Sequence, residues 1–239
     1  MIKLAITGCC GRMGQRIYAL AKNDKNFSIV ALLDRSDHPD MGKVVDGLTI
    51  TSDLSILKKA DVLIDFTLPE PTEQNLEACL KSKTKIVIGT TGLSDLQLKK
   101  IKAAAKKVPI VQSTNMSVGV NVLFKLTKLL SEKTGSNYNV RIVEAHHIHK
   151  KDAPSGTAKT LAQVIEKAKK ITVSDIQSIR EGEIVGDHDV IFESDVDTIT
   201  LSHHAKTRDI FAEGALVAAK FITKKKTGLY TMQDVLNLK

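Results

Sequence analysis

The sequence predicts a two-domain α/β protein, in which a parallel sheet covered by helices is followed by a smaller α+β domain. Three observations support this. Through the first half, short and almost wholly apolar runs alternate with stretches of helical composition, the pattern of strands buried on both faces. After Ser113 that alternation gives way to longer helices and mixed polar–apolar strand-like runs. The 239 residues are enough for two modest domains, each with its own core.

Element by element, Leu4-Ala5-Ile6 reads as a buried strand leading through a glycine-rich turn into a helix over 13–22. Strands follow at 29–33, ending at Asp34, and at 62–66, 85–88 and 109–111, with helices over 71–81 and 94–107 between them. The second half opens with a long helix over 118–132 and a strand over 138–144. A polar, histidine-rich segment leads to a helix over 156–170. Strand-like runs at 176–179, 189–193 and 197–201 predict a mixed or antiparallel sheet. A final amphipathic helix spans 208–223, and a short tail begins near Tyr230. No Pro/Gly-rich linker marks the junction near residue 114, and there is no internal repeat.

Composition narrows the classes of function. Apolar residues make up 42% and charged residues 26%, which excludes a disordered chain, and no apolar run is long enough to span a bilayer. The N-terminal residues run straight into the glycine turn without a signal-peptide pattern, so a cytoplasmic location is expected. Cys9, Cys10 and Cys79 have no zinc-like spacing and are expected to be free thiols. The net charge of +8 comes mainly from lysine clusters on predicted outer helical faces and helix ends. With no Trp and no aromatic–basic interleaving, no nucleic-acid partner is expected, although a positive field favours anionic small molecules.

Gly8-Cys9-Cys10-Gly11-Arg12-Met13-Gly14 fits GxxGxxG between a strand and a helix, the Rossmann-like context. Gly8 permits the tight turn, Gly11 admits a pyrophosphate, and Gly14 permits close helix–strand packing. A helix start offers N–H groups and a favourable dipole to that anion. Asp34, twenty residues beyond Gly14 at the end of the second strand, stands where an acidic residue binds an adenosine ribose hydroxyl. Asp34 favours NADH, whereas Arg35 offers charge to a 2′-phosphate, so NADH and NADPH both remain open as cofactors. Gly89-Thr90-Thr91-Gly92 and Ser113-Thr114-Asn115-Met116 follow further strands and are read as cofactor-facing connections, with loop and packing roles as the alternatives.

The densest chemical signal runs from Glu144 through His146, His147, His149, Lys150 and Lys151 to Ser155-Gly156-Thr157. Histidine transfers protons near neutral pH, and lysine supplies positive charge to an anionic or imine-bearing substrate. His146 and Lys150 share a face if the segment makes a helical turn. Ser155, Gly156 and Thr157 open the next helix and form a candidate carboxylate cradle. The histidines have neither an HExxH pattern nor a distant Cys/His set, so no metal is expected there; a polar loop or oligomer contact is the stronger rival.

These motifs together resemble the bacterial and plant dihydrodipicolinate (4-hydroxy-tetrahydrodipicolinate) reductases. The resemblance extends through Asn115-Met116-Ser117-Val118-Gly119-Val120-Asn121, the segment from Glu144 to Ala158, His203-His204-Ala205 and Arg208-Asp209-Ile210-Phe211-Ala212-Glu213-Gly214-Ala215. It implies a dinucleotide-binding domain over 1–114, an α+β substrate and tetramerisation domain over 115–210, and a C-terminal helix and tail over 211–239 returning to the first. It implies proton transfer by His146 and Lys150, substrate contact by His147, and carboxylate binding by Gly156 and Thr157. Asp34 and Arg35 match the adenosine-selecting pair. The implied activity is hydride transfer from NADH or NADPH to a cyclic imine dicarboxylate on the diaminopimelate and lysine route, by a homotetramer. Cys9-Cys10 in place of small or basic residues, and Met116 in place of Phe, are departures from the family pattern.

Overall fold

The computed structural model describes residues 1–238. The chain divides into two compact units: Met1–Ser117 with Phe211–Lys239, and Val118–Ile210 between them.

The first unit is built on an eight-stranded sheet. Its strands are β1 (Ile2–Thr7), β2 (Phe27–Leu33), β3 (Val44–Val45), β4 (Leu48–Thr51), β5 (Val62–Asp65), β6 (Lys85–Ile88) and β7 (Pro109–Gln112), with β12 (Gly228–Tyr230) from the C-terminal segment. Their order is β12-β7-β6-β5-β1-β2-β4-β3, parallel throughout except for the β3–β4 pair. The chain winds outward from β1 in both directions, so the order reverses between β1 and β5, where open α/β sheets form a ligand crevice at their carboxyl ends.

Alternation along the strands supplies both faces with apolar side chains. Leu4, Ile6, Ile64 and Val87 pack with Ile17 and Ala21 of α1 (Arg12–Lys22) and with Ala212, Ala215, Leu216 and Ala219 of α6 (Asp209–Ile222). Ala5, Leu63, Ile86, Ile88 and Ile110 pack with Leu76 and Cys79 of α2 (Pro69–Ser82) and with Ile101 and Ala104 of α3 (Asp95–Ala104). Each fully enclosed Leu or Ile contributes about 1.5–3 kcal/mol, so these two layers hold the sheet that carries the glycine turn.

The second unit has a four-stranded mixed sheet of β8 (Asn139–His146), β9 (Ile176–Arg180), β10 (Asp187–Glu193) and β11 (Thr198–His204), in the order β11-β10-β8-β9. The β8–β9 pair is parallel and the other two are antiparallel. Helices α4 (Val118–Lys133) and α5 (Gly156–Lys169) form its core with Ile142, Val190 and Phe192.

Several element boundaries differ from the sequence expectation. The short β3 and β4 and a 3-10 helix at Leu54–Lys59 are too brief to show a periodicity. The tail near Tyr230 is an edge strand, β12, joined by a short helix α7 (Met232–Val235). Strands β8, β10 and β11 each extend over polar residues beyond their apolar stretches, because ladder hydrogen bonds use the backbone whatever the side chain. That extension places His146, His188 and His203 in the sheet.

Candidate functional site

In the first unit, Gly8 follows β1 with φ of 66°, a left-handed conformation that favours glycine. A Cβ on Gly14 would lie 2.0 Å from the Gly8 carbonyl oxygen, so α1 can rest against the turn only with glycine there. Gly11 caps α1 without a side-chain hydrogen bond, leaving the first-turn N–H groups to the dipole logic of an anion site. Asp34 closes β2 beside the turn: its carboxylate accepts from the Cys10 N–H at 2.8 Å and the Arg35 N–H at 2.9 Å. A cavity of about 640 Å³ at the β1–β5 reversal is lined by Gly8, Gly11, Asp34, Arg35, His38 and Phe66, among others. This combination fits an adenosine dinucleotide: the turn offers N–H groups suited to a pyrophosphate, and Asp34 a carboxylate suited to a ribose hydroxyl.

The remaining first-unit residues divide by accessibility. Gly11, Arg12, Arg35, Thr91 and Thr114 are exposed, and Gly8, Cys10, Met13, Asp34, Gly89, Ser113 and Asn115 are partly so. The side chains of Cys9 and Met116 instead join the core. Thr90 is buried, with the Thr72 hydroxyl donating to it at 2.9 Å and Asp65 nearby, so its side chain braces the sheet end. The Ser113 hydroxyl donates to the Asn115 carbonyl at 2.8 Å, and Asn115 Oδ1 accepts from the Ser117 N–H, holding that connection in a tight local fold.

In the second unit, β8 alternation puts Ile142, Glu144 and His146 on the helix-covered face. Cross-strand register brings His188 opposite Glu144, His203 opposite His188, and Arg180 opposite His146. The apolar core therefore ends in a polar row. Glu144, fully enclosed, sits 2.5 Å from His146 Nδ1 and accepts two hydrogen bonds from Arg180, at 3.0 and 2.8 Å, and one from the Ser155 N–H at 3.2 Å. Burial pushes this carboxyl up, but hydrogen bonds led by Arg180 override it and hold the pKa at about 2. A charged carboxylate on Nδ1 selects the imidazole tautomer with its proton there, leaving Nε2 as the acceptor. A Cβ on Gly186 would lie 3.0 Å from that Nε2.

Burial lowers the His146 pKa; Glu144 opposes the shift, and the cations Lys150 and Arg180 add to it. His188 lies edge-on to His146 with ring centres 5.2 Å apart, and its Nε2 is 3.2 Å from the Ser155 hydroxyl. Burial, followed by neighbouring charge, lowers its pKa to about 3. A histidine that stays neutral in the native state contributes stability above its unfolded pKa of 6.5, lost as pH falls toward the folded value. Between pH 6.5 and about 3 the His188 contribution is expected to fall by about 1.4 kcal/mol per pH unit. Urea unfolding of the protein and of His188→Gln at stepped pH checks this; parallel stability–pH curves would contradict it.

Beyond β8 the segment makes a non-helical turn, with the Lys150 N–H donating to the His147 carbonyl at 3.1 Å. A shared helical face therefore does not relate His146 to Lys150. Lys150 Nζ lies 2.8 Å from Asp152 and retains partial exposure. Burial and then Arg208 lower the pKa of the half-buried His147; its Nδ1 has no hydrogen-bond partner among the described residues. The Ser155 hydroxyl caps α5 through the Ala158 N–H, and Gly156 and Thr157 form the first turn. Glu144's clamping role, Arg180 and His188 escaped sequence reasoning, and His203 entered it only within the family resemblance. Their signal was strand alternation extended through polar residues, legible only once the register is known. A cavity of about 610 Å³ elsewhere in the second unit, lined by Tyr138, Arg141 and Lys169 among others, contains none of these groups.

Among solved structures, the chain resembles a dipicolinate-bound dihydrodipicolinate reductase from Paenisporosarcina sp. TG-14, with a TM-score of 0.84, 27% identity and 98% of each chain covered. An amine dehydrogenase from Mycobacterium smegmatis shares the fold at a TM-score of 0.70 and 12% identity, covering 98% of this chain and 95% of its own. The fold, the glycine turn and the likeness to that reductase define a nicotinamide-dependent oxidoreductase. Family models described as dihydrodipicolinate reductase, N-terminus and C-terminus, match residues 2–116 and 119–236. The 4-hydroxy-tetrahydrodipicolinate reductase of Syntrophus aciditrophicus is 40% identical over 267 aligned residues, covering 100% of both chains. That of Pelagibacter ubique is 39% identical over 258, covering 100% of this chain and 99% of its own. The chain belongs to the dihydrodipicolinate reductase family.

Proposed function

We propose that the chain reduces the cyclic imine dicarboxylate derived from 4-hydroxy-tetrahydrodipicolinate to tetrahydrodipicolinate, in the diaminopimelate and lysine pathway, using NADH or NADPH. The observation that carries this reading is the buried Glu144–His146 pair at the head of a segment that continues through Lys150 to the start of α5. Full-length likeness to reductases of that name, and the dipicolinate held by the Paenisporosarcina neighbour, support the substrate class.

The bound nicotinamide dinucleotide supplies the hydride. The turn from Gly8 to Gly14 holds its pyrophosphate, and Asp34 the adenosine ribose. The connections Gly89-Thr90-Thr91 and Ser113-Thr114-Asn115-Met116 complete the contacts, Thr90 and Met116 through backbone because their side chains are buried. Gly156 and Thr157, with the Ser155 cap, receive a substrate carboxylate at the start of α5, where the dipole favours an anion. Lys150 balances the second negative charge and donates a proton, His147 contacts the substrate, and His146 relays a proton at Nε2 while Glu144 holds Nδ1. The same reading includes a homotetramer in the cytoplasm. Supporting it, no helix is long and apolar enough to cross a membrane among the described residues, and strand alternation turns Val143, Ile179 and Ile191 away from α4 and α5.

Purified protein is expected to oxidise NADH or NADPH only when freshly generated hydroxy-tetrahydrodipicolinate is present. Dinucleotide binding without turnover under those conditions would overturn the reading. The Arg35 side chain is exposed, with Nε 3.5 Å from Asp37, and is available to a 2′-phosphate. Arg35→Ala is expected to raise KM for NADPH by about tenfold and leave that for NADH nearly unchanged, the size of one charge-assisted contact. Equal losses with both cofactors would make Arg35 a general electrostatic residue.

A further inference from the structure

We infer that the glycine turn doubles as a binding site for a thiophilic divalent cation such as Zn²⁺, held by Cys9, Cys10 and Asp34 with His38 and Asp40 at its rim, and that metal and dinucleotide exclude one another. The competition rests on the proposed role of Asp34 at the adenosine ribose; the metal site itself does not.

The geometry comes first. The Cys9 and Cys10 sulfurs are 3.8 Å apart. Two thiolates at the usual Zn–S length of about 2.3 Å in a tetrahedral shell span about 3.8 Å, so the sulfurs already have the required separation. One ligand atom from each of Cys9, Cys10 and Asp34 lies within 4.8 Å of the others, and Cys10, His38 and Asp40 form a second such triad sharing Cys10. Both thiols are free. Asp34 accepts backbone N–H bonds on both oxygens, which orients the carboxylate and leaves each oxygen a further lone pair. Asp40 is partly neutralised by Lys43 and is the weaker donor, and His38 Nδ1 accepts from the Asp40 N–H at 3.1 Å. Linear spacing did not reveal the set, because its ligands come from a turn, a strand end and a following loop.

The chemistry of the donors selects the ion. Two sulfurs, an imidazole and carboxylates suit Zn²⁺, Cd²⁺ or Co²⁺ and not Mg²⁺ or Ca²⁺, which take oxygen shells. The Asp34 and Asp40 carboxylates beside Cys10 favour a doubly charged ion. Binding converts two thiols to coordinated thiolates and releases two protons to the buffer, with no change of oxidation state. Because Asp34 closes the cavity where the adenosine half is proposed to bind, an ion drawing that carboxylate toward the sulfurs removes the ribose acceptor.

The test is titration of the reduced, chelator-stripped full-length chain with Co²⁺ alone. A thiolate-to-cobalt charge-transfer band is expected, saturating at one ion per chain, unaffected by Mg²⁺, lost in Cys10→Ser and weakened in His38→Ala. Saturating NADH or NADPH is expected to bleach it. Zn²⁺ at ten times its own Kd is expected to raise the apparent Kd of NADH by about tenfold, reversibly with chelator. Absence of the band, or its persistence in a Cys10→Ser protein with unchanged circular dichroism, overturns the site; a band indifferent to dinucleotide overturns the competition. The readout needs no turnover, so a chain that binds Co²⁺ but fails to reduce the dicarboxylate overturns the reductase reading alone.

Discussion

Lys150→Ala is expected to lower kcat/KM for the dicarboxylate by about two to three orders of magnitude, the usual worth of a positioned proton donor, while leaving the dinucleotide Kd unchanged. Lys150 belongs to the second unit, in the turn after β8, and the glycine turn belongs to the first. Its ammonium is partly exposed and held by Asp152, a placement that retains charge without sealing it from a ligand. Lys150→Arg separates the two proposed tasks. Arginine keeps the charge but does not give up a proton, so KM is expected near that of the unmodified chain with kcat still depressed. Full recovery of kcat in Lys150→Arg would remove proton transfer from its role. Loss of NADH affinity in Lys150→Ala, measured by fluorescence titration, would move the residue out of substrate chemistry altogether.

The largest stability effect is expected at Glu144. Glu144→Ala leaves the Arg180 guanidinium and His146 without their shared carboxylate, and removing one partner of an enclosed ion pair costs about 3–5 kcal/mol. Glu144→Gln keeps the shape and part of the hydrogen bonding and is expected to cost less. Glu144→Gln combined with Arg180→Met is expected to recover part of the loss, because no charge is then stranded. Urea unfolding at neutral pH measures all three; a loss below about 1 kcal/mol in Glu144→Ala would contradict the clamp. The acid limb follows from the same group. Its carboxyl is depressed from 4.5 to about 2, so its stabilisation is complete above the unfolded value and disappears as pH falls through the folded one. That decline lies at lower pH than the one from His188 and is expected to vanish in Glu144→Gln.

Lys150 and Glu144 differ in how much of their setting is local in the sequence. The glycine turn and Asp34 were legible because a βαβ start binds its ligand with consecutive backbone and a strand end, all local in sequence. Lys150 and the start of α5 were legible as candidates because they lie within one short segment. Glu144's ion-pair partner was not, because Arg180 is 36 residues away and meets it only through the parallel β8–β9 register. Thr90 shows the converse: a hydroxyl in a ligand-facing loop by sequence, but in the structure buried against Thr72 and Asp65.

From sequence alone came the parallel-sheet architecture, the glycine turn, the candidate acid–base segment and the family resemblance, each written in local periodicity or contiguous motif. Tertiary structure decided what is non-local. It placed β12 at the sheet edge, aligned Glu144, His188 and His203 in one row, held the first of these with Arg180, and set Cys9, Cys10 and Asp34 around one point. The physical reason is the same in each case. Strand register and crossover topology determine which distant side chains share a face, and these follow from the packing of the whole core.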